Sequence, residues 1–127
     1  MLTFGHFFAI SVGAALGAVS RWLLGLWLNH SGVVMPWGTL AANLIGGYLI
    51  GVVLGVIALY PATPAWIRLL LMTGFLGGLT TFSTFSGETI GMIERGSYAI
   101  ALGYIGLSLL GALALTALGM ATVHALR

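Results

Sequence analysis

Four long apolar segments make up most of this chain and constrain what it can fold into. They run approximately over residues 4–28, 37–60, 66–93 and 98–125. A helix that crosses the apolar core of a bilayer, about 30 Å thick, needs about 20 residues, and each segment is long enough. The sequence therefore predicts an all-α membrane protein with four transmembrane helices, organised as a single transmembrane domain.

Charged residues are too scarce for the chain to be a soluble protein. They make up only 5% of the sequence, whereas a soluble domain usually carries about 25%. We therefore expect a multi-pass protein of the cell (inner or plasma) membrane, with the lipid bilayer as its surroundings. The net charge of +2 is too small to suggest binding of nucleic acid. The sequence contains no nucleophile–base pair and no metal-ligand cluster, so it does not indicate an enzyme.

The four arginines are divided evenly between the two predicted membrane sides. Arg68 and Arg127 lie toward the side of the N-terminus, and Arg21 and Arg95 lie toward the other. Basic residues near helix ends normally set the orientation, so this balance states no preference. Either so few charges carry little weight, or copies insert both ways up. An antiparallel, dual-topology homodimer would then provide the inverted symmetry that many transporters build into one chain.

Small residues recur at every fourth position on three of the predicted helices. Such spacing lets helix backbones approach each other closely in lipid. Packing within one bundle accounts for most of these positions, and the remainder offer a surface for a partner. The positions are Gly13 and Gly17 in the first helix, Gly47, Gly51 and Gly55 in the second, and Ser108, Ala112 and Thr116 in the fourth.

Glycines and threonines interrupt the third apolar segment near its centre. Gly74, Gly77 and Gly78 lie within eight residues and are followed by Thr80 and Thr81, which suit the start of a new helix. One interpretation is a continuous helix, with glycines for packing and threonines bonded to the preceding turn. The alternative is a helix broken at the membrane midplane, whose free carbonyls, around Gly77 to Thr80, could coordinate a small hard cation.

Aromatic and hydroxyl side chains follow the proposed break and share one band of membrane depth with polar groups of the second and fourth helices. Phe82, Phe85 and Glu88 fall on one face of a helix, because their spacing is three residues. The positive edges of aromatic rings and the hydrogens of amides and hydroxyls would contact a small anion favourably. The pattern predicts an anion path, although a hydrogen-bond network between helices would use the same residues. The other members are Thr39, Asn43, Ser83, Thr84, Tyr104, Ser108 and Thr116.

Two ionisable residues lie inside the predicted spans, and intramembrane charges are functional candidates. We expect Arg21 to cap the packing on its side of the membrane as a structural charge. We expect Glu88 to line, or bond to, a vestibule. His6, His30 and His124 lie near the termini or loops and show no metal-ligand spacing.

Three motifs of the chain resemble the CrcB/Fluc family of fluoride channels. The first is the stretch from Gly74 to Ser86, GFLGGLTTFSTFS, and the second is GTLAANLIG, from Gly38 to Gly46. The third is the Arg21-Trp22 pair in the first helix. The resemblance covers the whole chain, and no motif position departs from the family pattern.

The resemblance implies a function and a set of roles for these residues. It implies an antiparallel homodimer with two pores and a structural sodium ion (Na⁺) at its centre, bound by backbone carbonyls at Gly77 and Thr80. It implies that Asn43, Phe82, Phe85 and Ser108 line the path of the fluoride ion, with Thr39, Tyr104 and Glu88 toward its ends. Members of the family export fluoride passively from the cytoplasm.

Two other functions compete with a fluoride channel at this point. A small proton-coupled multidrug exporter also forms antiparallel dimers of four-helix chains, but it needs a carboxylate in the first helix, where this sequence has none. A membrane protein that only binds partners would not need a hydroxyl-rich interruption in its third helix.

Overall fold

The computed structural model describes residues 3–30 and 32–127, and within them it confirms an all-α fold with four helical spans. Each span is long and apolar enough to cross a membrane, so the chain is a multi-pass membrane protein. The third span consists of two helices, α3 and α4. The helices are α1 (Phe4–Leu28), α2 (Trp37–Leu59), α3 (residues 65–79), α4 (Phe82–Glu94) and α5 (Tyr98–Leu126).

Local hydrogen bonds define where the helices begin and end. The Thr3 hydroxyl accepts a bond from the His6 N–H at 3.0 Å and caps the first turn of α1. At the end of α4, Gly96 has a φ of +79°, a backbone conformation that favours glycine. The Ser97 N–H then returns to the Met92 carbonyl at 2.8 Å, so the chain reverses tightly into α5.

The helices α1 and α3 pack backbone to backbone through glycines of both helices. A Cβ atom on Gly13 would collide with the Leu70 carbonyl, and one on Gly17 would collide with the Phe75 carbonyl. From the other side, a Cβ on Gly78 would lie 2.6 Å from the Ala14 carbonyl oxygen. The small residues of α1 therefore serve contact within one chain, as the spacing predicts.

The helices α2 and α5 form a second seam of the same kind. A Cβ atom on Gly51 would collide with the Thr116 carbonyl, and one on Gly119 would collide with the Tyr48 carbonyl. The Thr116 hydroxyl donates to the Gly47 carbonyl at 2.8 Å, which adds a hydrogen bond across the same seam. Residues of α2 and α5 also line a cavity, so this seam fixes the distance between two of the cavity walls.

The glycines of the third span remain helical, which differs from the expectation that they permit a break. Residues 69–76 form a π-helix, and Gly77 has helical torsion angles, φ −63° and ψ −35°. Gly74 and Gly78 instead allow the backbone of α1 to approach closely, since a Cβ atom on either residue would lie within about 3 Å of that backbone. Their role is close packing, and the wide π-helical turns were not predictable from composition.

Only Thr80 and Thr81 have extended backbone within the third span. Their torsion angles are φ −89°, ψ 154° and φ −150°, ψ 120°. The Thr80 hydroxyl donates to the Leu76 carbonyl at 2.7 Å, and the Thr81 hydroxyl accepts from the Thr84 N–H at 3.1 Å. One threonine thus closes the end of α3, and the other caps the start of α4.

Candidate functional site

A cavity of about 460 Å³ lies among α2, α3, α4 and α5, beside the extended residues. It is called the central cavity below. Most of its lining surface is apolar, as expected for a membrane protein. Six of the predicted site residues contribute to its wall, namely Asn43, Gly77, Thr80, Phe82, Phe85 and Ser108.

Three aromatic rings run from the central cavity toward the start of α5. The centroids of Phe82 and Phe85 lie 5.8 Å apart, and those of Phe85 and Tyr104 lie 5.0 Å apart, with tilted planes. Phe82 is 80% exposed, whereas Tyr104 is fully buried. Tilted rings at this separation present edges as well as faces to their neighbours, and ring edges carry partial positive charge.

The hydroxyl of Ser108 is the one buried side-chain hydroxyl without a hydrogen-bond partner in the part of the chain that the structure describes. It lies on α5, one turn after Tyr104, and lines the central cavity. Buried polar groups in folded proteins almost always have partners. A donor that faces a cavity and has no protein acceptor is available to a ligand that accepts a hydrogen bond.

The side chain of Asn43 forms two hydrogen bonds with the backbone of Thr81. Its Oδ1 accepts from the Thr81 N–H at 2.8 Å, and its Nδ2 donates to the Thr81 carbonyl at 3.1 Å. In a continuous helix that N–H would be directed to the Gly77 carbonyl. The amide of Asn43 therefore replaces helical bonds that the extended residues cannot make, while one edge still lines the cavity.

The carboxylate of Glu88 accepts two hydroxyl hydrogen bonds, one from α2 and one from α5. Thr39 donates to its Oε2 at 3.1 Å, and Tyr104 donates to its Oε1 at 2.9 Å. Thr39 and Tyr104 are both buried. Three predicted site residues thus form one polar cluster that adjoins the central cavity through the contact of Tyr104 with Phe85.

The side chain of Arg21 forms a hydrogen bond with the C-terminal end of α3, just before the extended residues Thr80 and Thr81. Its Nε donates to the Gly78 carbonyl at 3.1 Å, across the seam between α1 and α3. The last carbonyls of a helix carry partial negative charge, so a guanidinium is a favourable partner there. This contact joins the Arg21 charge to the end of α3, and the structural role of that charge stays a prediction.

Three further predicted site residues lie outside both the lining of the central cavity and the Glu88 cluster. Thr116 donates to the carbonyls of Gly47 and Ala112, inside the seam between α2 and α5. Ser83 and Thr84 are exposed, and their polar contacts are with the Thr81 hydroxyl. Helical spacing put these residues on a polar stripe, but it did not show which hydroxyls have acceptors of their own.

A second cavity, of about 370 Å³, lies between the loop before α2 and the last turns of α4. It is called the loop cleft below. Glu88 lines it, together with Asn29, His30, Gly87, Gly91 and Arg95. The sequence places His30 near a loop and counts Arg95 toward the membrane orientation, and it predicts no shared site for the two residues. Their meeting in one cleft depends on how the loop folds back, which no local pattern reports.

Comparison with known proteins identifies relatives along nearly the whole chain. Residues 8–120 match the family model described as CrcB-like protein, Camphor Resistance (CrcB). A protein of Bordetella petrii is 66% identical over 122 residues, which are 96% of this chain and 94% of the relative. One of Albidiferax ferrireducens is 58% identical, covering 90% and 87%. One of Tolumonas auensis is 53% identical, covering 94% of each. All three are named fluoride-specific ion channel FluC.

Proposed function

This chain belongs to the CrcB-like family, and from that membership we propose that it is a fluoride-selective ion channel. It conducts fluoride passively across the cell membrane and is not an enzyme. An anion leaves a cell whose interior is electrically negative, gaining about 2.3 kcal/mol per charge for each 100 mV. The channel thereby limits the fluoride that accumulates when neutral hydrogen fluoride enters and dissociates in the cytoplasm.

The structural observation that carries the proposal is the Ser108 hydroxyl, which is buried, belongs to a residue that lines the central cavity and has no acceptor among the described residues. Fluoride is a small anion that accepts hydrogen bonds strongly. With the Phe82 and Phe85 rings on the same cavity wall, Ser108 supplies the donors and ring edges that would replace part of the ion's hydration shell. No lysine or arginine lines this cavity to hold the ion too tightly.

We propose that the path continues from the central cavity past Phe85 and Tyr104 to Glu88 and Thr39. These residues are joined by the ring contact and the two hydroxyl bonds described above. The path would then open to the solution at the loop cleft, which Glu88 also lines. Asn43 is part of the path because its side chain contributes to the wall of the central cavity. Ser83 and Thr84 are exposed, so a partner chain could complete a path beside them, whereas the Thr116 hydroxyl is bonded within the seam between α2 and α5 and lies off this path.

The functional unit we propose is an antiparallel homodimer with two pores, in which the third span is interrupted at the membrane midplane. Phe82 is 80% exposed beside the central cavity in one chain, and a second copy would cover it. The even division of arginines between the two sides is compatible with insertion in both orientations.

A sodium ion at the centre of this dimer would use backbone oxygens. Gly77 and Thr80 line the central cavity, and the Thr81 N–H donates to Asn43 rather than to the Gly77 carbonyl. Carbonyls at the end of an interrupted membrane helix are the type of ligand that sodium takes in transporters. Two antiparallel chains that cross at this point would each contribute a pair, and the ion would hold the two α3 ends together.

The direct test is anion efflux from liposomes that contain the purified protein. Fluoride efflux is recorded with a fluoride electrode, and chloride efflux is recorded in parallel, with a proton uncoupler present or absent. We expect rapid fluoride efflux and no chloride efflux. The proton uncoupler should be needed only to compensate the charge that fluoride carries out of the liposome. Absence of fluoride flux, or transport of cationic drugs coupled to protons, would refute the proposal and favour the multidrug exporter.

A further inference from the structure

The Arg95 side chain occupies a position in the loop cleft that the proposed ion path does not yet use. A Cβ added to Gly91 would lie 3.3 Å from Nη1 of Arg95, so the guanidinium lies over Gly91, one turn earlier on α4. Arg95 lines the cleft together with Glu88. Because Glu88, Gly91 and Arg95 are spaced by three and four residues, they share one face of the helix end.

The guanidinium has no acceptor in the part of the chain that the structure describes. It makes no ion pair and no hydrogen bond there, although Glu88 lines the same cleft. Both carboxylate oxygens of Glu88 already accept bonds, from the Thr39 and Tyr104 hydroxyls. The Glu88 carboxylate is thus hydrogen-bonded to buried hydroxyls rather than to Arg95. The five N–H donors of the arginine remain available for another acceptor.

The walls of the cleft keep space open in front of this charge. Gly87 faces the cleft without a side chain, and a Cβ there would meet nothing within 4 Å. On the opposite wall the Asn29 Oδ1 accepts from the Gly38 N–H at 2.8 Å, which ties the loop to the start of α2. The imidazole of His30 lines the cleft as a further polar group. The result is an open recess with a tethered loop wall, in which the Arg95 guanidinium makes no hydrogen bond to the described residues.

We propose that Arg95 forms an outer docking site for a small inorganic anion in the loop cleft, where fluoride is captured before it reaches Glu88. The inference rests on the proposed function, because it assigns the ion's entry point to the same path. A charge at the mouth of a narrow path raises the local concentration of the oppositely charged ion, and salt screens this effect. Arg95 therefore governs conduction when fluoride is dilute and ceases to matter when fluoride saturates the path.

The test compares Arg95→Gln, Arg95→Lys and the wild type in liposomes, with fluoride efflux measured at increasing fluoride concentration. At an ionic strength of about 10 mM, where the Debye length is about 30 Å, we expect Arg95→Gln to raise the half-saturating fluoride concentration. The expected rise is about five-fold, the effect of one unit charge at about 4 Å in water. At about 1 M the variants should converge, since the Debye length falls to about 3 Å. Arg95→Lys retains the charge and should stay close to the wild type.

Arg127→Gln is the matched control, because it removes the same charge from an exposed position at the far end of α5, outside the loop cleft. Equal effects of Arg127→Gln and Arg95→Gln would overturn the docking site in favour of diffuse surface charge. A half-saturating concentration unchanged in Arg95→Gln at low salt would also overturn it. If the wild type itself does not conduct fluoride, the proposed channel function fails instead, so the two failures are distinguishable.

Discussion

Single residues of α5 show how neighbouring hydroxyls on one helix face acquire different roles. Tyr104 donates to Glu88, and Thr116 donates to carbonyls in the seam with α2. Ser108, between them, has no acceptor among the described residues and lines the central cavity. Partnered hydroxyls contribute to stability, whereas the hydroxyl without a protein partner is free to interact with an ion.

Ser108→Ala is therefore expected to separate conduction from stability. The variant loses no hydrogen bond within the chain, so its melting temperature should match that of the wild type or exceed it slightly. Fluoride efflux should fall by at least about ten-fold, since one hydrogen bond to a charged group contributes about 1.5–3 kcal/mol. Ser11→Ala is the control, because the Ser11 hydroxyl donates to the Phe7 carbonyl on an exposed face of α1. Equal efflux from the two variants would remove Ser108 from the path.

Substitutions of Asn43 and Phe82 should both reduce fluoride flux, but they should differ in their effect on stability. Only the Asn43 side chain also forms hydrogen bonds with the backbone. In Asn43→Asp a carboxylate oxygen would face the Thr81 carbonyl in place of the Nδ2 donor. We expect fluoride flux to be lost and the dimer to remain assembled but melt earlier, corresponding to about 1–3 kcal/mol for an unsatisfied buried group. Phe82→Ile exchanges one apolar side chain for another and should suppress flux with a smaller change in melting temperature than Asn43→Asp. Full conduction in both variants would contradict the proposed path.

At the level of helices, the spans were predictable and the details of the third span were not. Length and hydropathy determine four spans because lipid cannot satisfy an exposed backbone. The glycines Gly74 and Gly78 were expected to permit a break, but they stay helical because α1 lies against them. The extended backbone falls at Thr80 and Thr81, where Asn43 of another helix supplies the missing bonds. That partner is 38 residues away in sequence, so no local pattern could locate it.

The seam between α1 and α3 yields a prediction at the same scale. In Gly17→Ala the new methyl group would collide with the Phe75 carbonyl and would lie 2.7 Å from the Leu79 backbone nitrogen. We expect a loss of about 1–3 kcal/mol in the free energy of unfolding, as for other overpacked sites, and a lower melting temperature in detergent. Gly103→Ala is the control within a helix, since a Cβ there meets nothing within 4 Å. A control that melts as early as Gly17→Ala would contradict the importance of this seam.

The whole molecule is not closed on the side of the central cavity. One chain leaves Phe82 exposed beside a 460 Å³ opening, next to the α3 end where Arg21 already binds the Gly78 carbonyl. A second copy related by an in-plane axis would cover the opening and place two such helix ends against each other. That arrangement requires the two copies to insert in opposite orientations, and the balanced arginines remove the usual obstacle to this.

The absence of cysteine from the sequence makes this topology directly measurable. In Ala62→Cys the single thiol lies in the exposed turn before α3, outside every helix. When a membrane-impermeant maleimide is added to intact cells, dual topology exposes about half of these thiols to the outside, because either orientation is equally favoured. Complete labelling should follow only after the membrane is permeabilised. Val33→Cys, in the exposed loop between α1 and α2, lies on the other predicted side and should give the same half-labelling. If one variant labels fully and the other not at all, every chain faces the same way, and the antiparallel dimer is excluded.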